Sequence, residues 1–126
     1  MNIGMDIKYN TSGLVPVIAQ DVETGRVLML AYANAEALSL SLSTGYAHYY
    51  SRSRDRIWKK GEESGHLQKI EHIRVDCDAD TLLYLVHQTG APCHTGYETC
   101  FFRELDGTIV ARKLVDPDEV YDKKDE

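Results

Sequence analysis

The sequence predicts a strand-rich α+β domain, a mixed sheet with few helices. Three observations carry that expectation. Short runs of aliphatic, β-branched and aromatic residues recur along the chain, each closed by a turn containing Gly or Asp. One segment, after Asn34, has helical spacing instead. The length of 126 residues, with 43% hydrophobic and 27% charged, suits one domain around one modest core.

The elements follow in order. Residues 14–20 (LVPVIAQ) read as a strand, with Pro16 suiting an edge or an early position. The turn 21–25 ends on Gly25, which is free to take positive φ, and residues 26–32 (RVLMLAY) form the partner strand. Asn34 is a good N-cap for AEALSLSLST, in which Ala37, Leu38 and Leu42 share a helical face and Gly45 closes the last turn. Residues 46–51 return to a strand. Residues 52–65 are polar and Gly-containing and predict a long loop. Residues 67–75 and 81–88 predict two strands around a hairpin-like corner at 76–80, and 89–99 a second loop. Residues 100–105 and 108–114 predict a final hairpin about Asp106-Gly107, a type I′ turn signal. The domain is expected to span 1–126, with its core at 14–114 and a charged tail at 115–126.

The bulk composition narrows function. A formal net charge of −6 argues against general nucleic-acid binding. No apolar run reaches the roughly 18 residues of a membrane helix, and the first ten residues lack a signal-peptide pattern. The three cysteines, Cys77, Cys93 and Cys100, cannot all pair within one chain. Free thiols fit a reducing compartment, so a cytoplasmic protein is expected.

Four groups of residues carry candidate chemistry. Cys77, Cys93 and Cys100 suit zinc, and three thiolates leave one position of a tetrahedral site for water. Without a C-x2-C knuckle, three inert buried cysteines remain an alternative. Asp76, Asp78 and Asp80 alternate, which on an extended backbone puts three carboxylates on one face. Their repulsion favours a cation such as magnesium; a solvated Asp-rich turn is the alternative. Arg52, Arg54, Arg56, Lys59 and Lys60 face only Asp55 in the same stretch. With Ser51, Ser53, Ser64, Gly61 and Gly65 they suit phosphate, and Trp58 suits a stacked base, unless the loop is simply solvated. His94, directly after Cys93, suits a proton carrier, an orienting donor or a spare ligand.

Together these segments resemble one family. GRVLMLAYANAEAL, YYSRSR, WKKGEESGHLQ, DCDADTLL and CHTGYETCF look like the successive motifs of phosphoribosyl-AMP cyclohydrolase, in order, from Leu14 to Leu105. The resemblance implies zinc on Cys77, Cys93 and Cys100, magnesium on Asp76, Asp78 and Asp80, and a functional histidine at His94. It also implies an intertwined homodimer with active sites at the interface, each zinc taking Cys77 from one chain and Cys93 and Cys100 from its partner. Two departures are minor: Gly90-Ala91-Pro92 stands where many relatives have Gly-Pro-Ala, and Thr99 stands where Ser is usual. Only about twenty residues follow Leu105, too few for the pyrophosphate-cleaving domain that some relatives carry, so a monofunctional form is expected.

The activity implied is hydrolytic opening of the adenine ring of phosphoribosyl-AMP at N1–C6, the third step of histidine biosynthesis. Zinc lowers the pKa of its water to about 7 and supplies hydroxide for attack on C6. The substrate is a small phosphorylated nucleotide. Arg52, Arg54, Trp58, Lys59, Lys60, Gly61 and Ser64 are its expected contacts, and His94 carries a proton. Two other classes stand beside this reading. A zinc purine deaminase would need H-x-E and P-C-x2-C, which the chain lacks. A non-catalytic nucleotide-binding module with structural zinc would bind without turnover.

Overall fold

The computed structural model describes residues 3–116. Its elements are β1 (Val15–Asp21), β2 (Val27–Ala33), α1 (Ala35–Thr44), β3 (His48–Ser51), β4 (Arg56–Lys59), β5 (Gln68–Val75) and β6 (Leu82–Gln88). Four strands form one mixed sheet in the order β2-β1-β6-β5; β3 and β4 form a separate two-stranded sheet. Only β1 and β6 run parallel, with Val17 opposite Leu82 and Asp21 opposite Val86. The α+β expectation holds.

Local chemistry sets most boundaries. The β1–β2 turn is closed by the Asp21 carboxylate, which accepts the Glu23 and Thr24 N–H groups at 2.8 and 3.2 Å. Asn34 Oδ1 accepts the Ala37 N–H at 2.8 Å and caps α1. Gly45, at φ +78°, ends the helix in the left-handed conformation and donates its N–H to Ser41 O. The core sits between one face of the large sheet, α1 and the β3–β4 hairpin. Val15, Val17, Ala19, Tyr84 and Val86 contribute from the sheet, and Leu38, Tyr49 and Trp58 from the covering layer. The buried Tyr49 phenol donates to Gln68 Oε1 at 2.6 Å, and Gln68 Nε2 donates to Gln88 Oε1 at 2.9 Å. These three interior polar side chains are thereby paired rather than stranded.

Three expectations need correction. The stretch 52–65 is not one long loop. Its first half is a tight turn into β4, which pairs Tyr49 with Trp58 and Ser51 with Arg56. Asp55, at φ +50°, takes the left-handed position of that turn, which Asp tolerates better than most residues. The final hairpin is likewise not two strands. Only isolated bridges join Tyr97 to Lys113 and Arg103 to Ile109. Its turn is not type I′ either, because Gly107 has positive φ and Asp106 does not. Bonds from Gly107 N to Glu104 O and from Glu104 N to Thr108 O make it a three-residue turn with one left-handed glycine. Most of the tail expected at 115–126 lies outside the described residues.

Candidate active site

One cleft of about 660 Å³ opens beside β2 and the β3–β4 hairpin. Arg52, Trp58, Lys60, His94 and Cys100 line it together with Tyr32, Tyr50, Met29 and Pro92. The pleat of β4 decides which basic residues reach it. Trp58 and Lys60 point to this cleft, while Ile57 and Lys59 point to a second, shallower one bounded by α1. Lys59 Nζ lies 4.9 Å from the Tyr46 ring centroid. Arg54, Gly61 and Ser64 are also outside the lining of the first cleft. Ser64 Oγ accepts the His66 N–H at 3.2 Å. Gly61 is required by its own chain: at φ +84°, an added Cβ would stand 2.5 Å from the His66 carbonyl carbon.

The remaining basic and aromatic residues have distinct settings. The Arg52 guanidinium stacks 4.1 Å from the Tyr32 ring centroid, leaving its N–H edge available at the cleft mouth. Trp58 is 8% exposed and packs on Tyr49 with centroids 5.4 Å apart, so its ring is mostly core. Its Nε1–H has no hydrogen-bond partner among the described residues, an orphaned donor at the cleft wall. Lys60 is 3% exposed, and its Nζ donates to Pro92 O at 2.5 Å.

Two of the three cysteines meet. Cys93 is buried and its Sγ lies 2.7 Å from Thr95 Oγ1. A hydrogen bond with Cys100 holds the Cys93 thiol down at about 5, and the same contact pushes the Cys100 thiol up. The pair thus holds one ready thiolate, the donor type that zinc takes. Cys100 is fixed from the sheet side, its N–H donating to Leu28 O at 2.7 Å. Thr99, just before it, is fixed from the same side, its hydroxyl donating to Val27 O at 2.7 Å.

Cys77 does not join them. It lies in the turn between β5 and β6, at the end of the sheet where Val75 pairs with Leu82. Cys93 follows the opposite end of β6, where Gln68 pairs with Gln88 and Thr89 N donates to Leu67 O. The length of β6 puts these ends about 20 Å apart. Two thiolates on one zinc lie within about 4 Å of each other. One chain therefore supplies two thiols at one end and the third at the other.

Around Cys77 the aspartates do converge. One carboxylate oxygen from each of Asp76, Asp78 and Asp80 lies within 4.8 Å of the others. The cause is the turn, not alternation on a straight strand as the spacing predicts. Ala79 takes φ +63°, Ala79 N donates to Asp76 O, and Asp76 Oδ1 accepts the N–H of Asp80 at 3.1 Å and of Thr81 at 3.3 Å. Desolvation opposes ionisation of Asp76, but these N–H bonds outweigh it and hold its carboxyl below the usual range. The Asp78 carboxyl pushes Asp80 up. The chief cause is a hydrogen bond between the Asp78 and Asp80 side chains, with charge repulsion from Asp76 and Asp78 adding to it. Three converging carboxylates are a donor set that fits magnesium.

The family follows from comparison with known proteins. The family model described as phosphoribosyl-AMP cyclohydrolase matches residues 29–102, from β2 through the Cys93–Cys100 loop. The chain belongs to the phosphoribosyl-AMP cyclohydrolase family. A phosphoribosyl-AMP cyclohydrolase of Methanospirillum hungatei is 65% identical over 94% of this chain and 91% of its own length. That of Methanoregula boonei is 61% identical over 94% of this chain and 97% of its own length. That of Haloquadratum walsbyi is 59% identical over 94% and 89%. The chain is accordingly an enzyme, a hydrolase of this family. Among the described residues no helix is long and apolar enough to cross a membrane.

Two residues in or behind the cleft are ones the sequence does not single out, Tyr32 in its lining and His66 outside it. Tyr32 is the stacking partner of Arg52, and its place at the end of β2 is the only signal it carries. His66 carries no spacing signal at all, yet its Nδ1 lies 2.9 Å from Ala91 O.

Proposed function

We propose that this chain hydrolyses 1-(5-phosphoribosyl)-AMP at the N1–C6 bond of adenine, giving the formimino-imidazole carboxamide ribotide of histidine biosynthesis. The observation that carries this reading is one cleft holding Cys100, His94, Arg52 and Lys60, in a member of a cyclohydrolase family. Alkylation of N1 by the ribose phosphate draws electrons from the ring and leaves C6 electrophilic. Water adds to C6, the N1–C6 bond breaks, and no amine leaves.

Cys93 and Cys100 supply two zinc ligands, and Cys77 of a second copy supplies the third. Zinc, when bound, activates water at neutral pH. Asp76, Asp78 and Asp80 hold magnesium next to Cys77, so a shared site brings both metals to one cleft. Arg52, at the cleft mouth, grips phosphate through its open guanidinium edge, and Arg54 and Lys59 add positive potential nearby. The Trp58 Nε1–H offers a donor to the base side of the substrate. His94, exposed on the lip, hands a proton to N1 as the bond to C6 breaks.

Two features support the dimer that this site requires. Cys77 is separated from the other thiols by the length of β6. The segment after Cys100 exposes Phe101, Leu105, Ile109 and Val110, each more than half accessible, an apolar arm suited to a second copy. Turnover of phosphoribosyl-AMP tests the reading. It is expected to stop when a chelator strips the protein and to return with zinc. Turnover that persists in protein proven metal-free would overturn the zinc assignment.

A further inference from the structure

The loop 89–99 has neither helix nor strand, yet it must hold Cys93 and His94 in register with Cys100. Cys100 has a direct anchor on β2 through its own N–H. The Cys93 limb is held differently, by side chains acting on consecutive carbonyls. Lys60 Nζ donates to Pro92 O at 2.5 Å, and His66 Nδ1 bonds Ala91 O at 2.9 Å. A carbonyl only accepts, so His66 carries its proton on Nδ1. Pro92 has no N–H of its own to offer the sheet, which makes the carbonyls the natural handles.

Both tethers are built features. Lys60 is 3% exposed and Ala91 fully buried, and an ammonium is kept so deep only where it is well paired. The Lys60 N–H donates to Ala47 O and the Ala47 N–H to Gln68 O, which ties the lysine backbone to the large sheet. The His66 ring fills the space over Gly90. A Cβ at Gly90 would come within 2.6 Å of His66 Cδ2, and the glycine sits at φ +67°. His66 is fixed in turn by Gln88 Nε2, which donates to its carbonyl at 3.2 Å.

We propose that Lys60 and His66 are positioning residues that clamp the Ala91–Pro92 carbonyls and thereby set the placement of Cys93 and His94. The inference rests on the metal and substrate reading above. It gives Lys60 a task other than phosphate binding. The clamp acts on geometry already present before substrate arrives, so its loss lowers the rate of the bound complex rather than the affinity for substrate.

The test uses Lys60→Met, which keeps the apolar stem, and His66→Phe, which keeps the ring over Gly90. Metal content, kcat and KM are measured beside the unmutated protein, together with the absorption spectrum after cobalt replaces zinc. Both variants are expected to retain metal. Their kcat is expected to fall about ten- to hundredfold with KM changed less than about threefold. The cobalt ligand-field and thiolate bands are expected to move, reporting an altered Cys93 ligand. A raised KM with unchanged kcat in Lys60→Met would make Lys60 a substrate ligand and overturn the clamp. Unchanged kcat and cobalt spectra in both variants would do the same. If Lys60→Met fails to fold, His66→Phe decides alone, since it strands no buried charge. Failure of the functional reading appears separately, as an unmutated protein that does not turn over phosphoribosyl-AMP. The cobalt spectra still compare the variants in that event.

Discussion

Mixing two dead variants gives a quantitative test of the shared zinc site. Cys77→Ala and Cys93→Ala are each expected to be inactive, because two thiolates are too few to hold zinc and activate water. Unfolded together in equal amounts and refolded with zinc, they pair at random, so about half of the dimers are mixed. The two ends of β6 from which the Cys77 and Cys93 segments depart lie about 20 Å apart within a chain, some five times the span of two ligands on one zinc. On the proposed shared site, each zinc draws Cys77 from one copy and Cys93 from the other. In a mixed dimer one site lacks both thiols and the other is intact. Half of the dimers with one good site of two return about a quarter of the unmutated activity. The assay is turnover of phosphoribosyl-AMP, with size-exclusion and mass analysis to confirm folded mixed dimers. No activity in a sample rich in such dimers would refute sharing.

Three further outcomes follow from the geometry. Arg52→Ala is expected to raise KM about ten- to hundredfold with bound metal unchanged, since a charge-assisted contact at the cleft mouth is lost; normal KM would make Arg52 a surface residue stacked on Tyr32. Asp78→Asn is expected to keep zinc but to require more magnesium for half-maximal activity, and an unchanged magnesium titration would remove Asp78 from the cation site. In metal-free protein Cys93 has its pKa depressed to about 5, so its thiolate persists as pH falls from neutral and is protonated only on passing about 5. The stability this thiolate contributes is present above the ordinary thiol range and is lost as pH falls through about 5. Ultraviolet thiolate absorbance that is already gone by about pH 7, or that survives in Cys93→Ser, would contradict this assignment.

The first half of the fold is legible because its signals are local. Asn34 and Gly45 fix both ends of α1, and Asp21 closes the β1–β2 turn by its own side chain. The β3–β4 hairpin is hidden because β4 carries Arg56 and Lys59 on an otherwise short apolar run, and its turn uses Asp55 rather than a glycine. The segment after Cys100 has strand-like residues but finds only isolated bridges among the described residues, so propensity alone overstates it.

The site divides in the same way. The types of residue proposed to hold metal are readable, and so is their order. Their convergence is not, because it depends on which end of β6 each loop leaves. Lys60 reads as one more cation in a basic stretch, whereas the pleat of β4 and the bond to Pro92 turn it inward. His66 is invisible for a different reason: a lone histidine in a polar loop carries no pattern, and its role depends on two glycines, Gly61 and Gly90, that are close only in space.

The identity of the product distinguishes ring opening from deamination. Purified, zinc-loaded protein is given phosphoribosyl-AMP, and the product is read by mass and by an ammonia assay. Ring opening is expected to add the mass of one water to the nucleotide and to release no ammonia. Ammonia released in step with substrate loss would identify a deaminase and rule out ring opening at N1–C6.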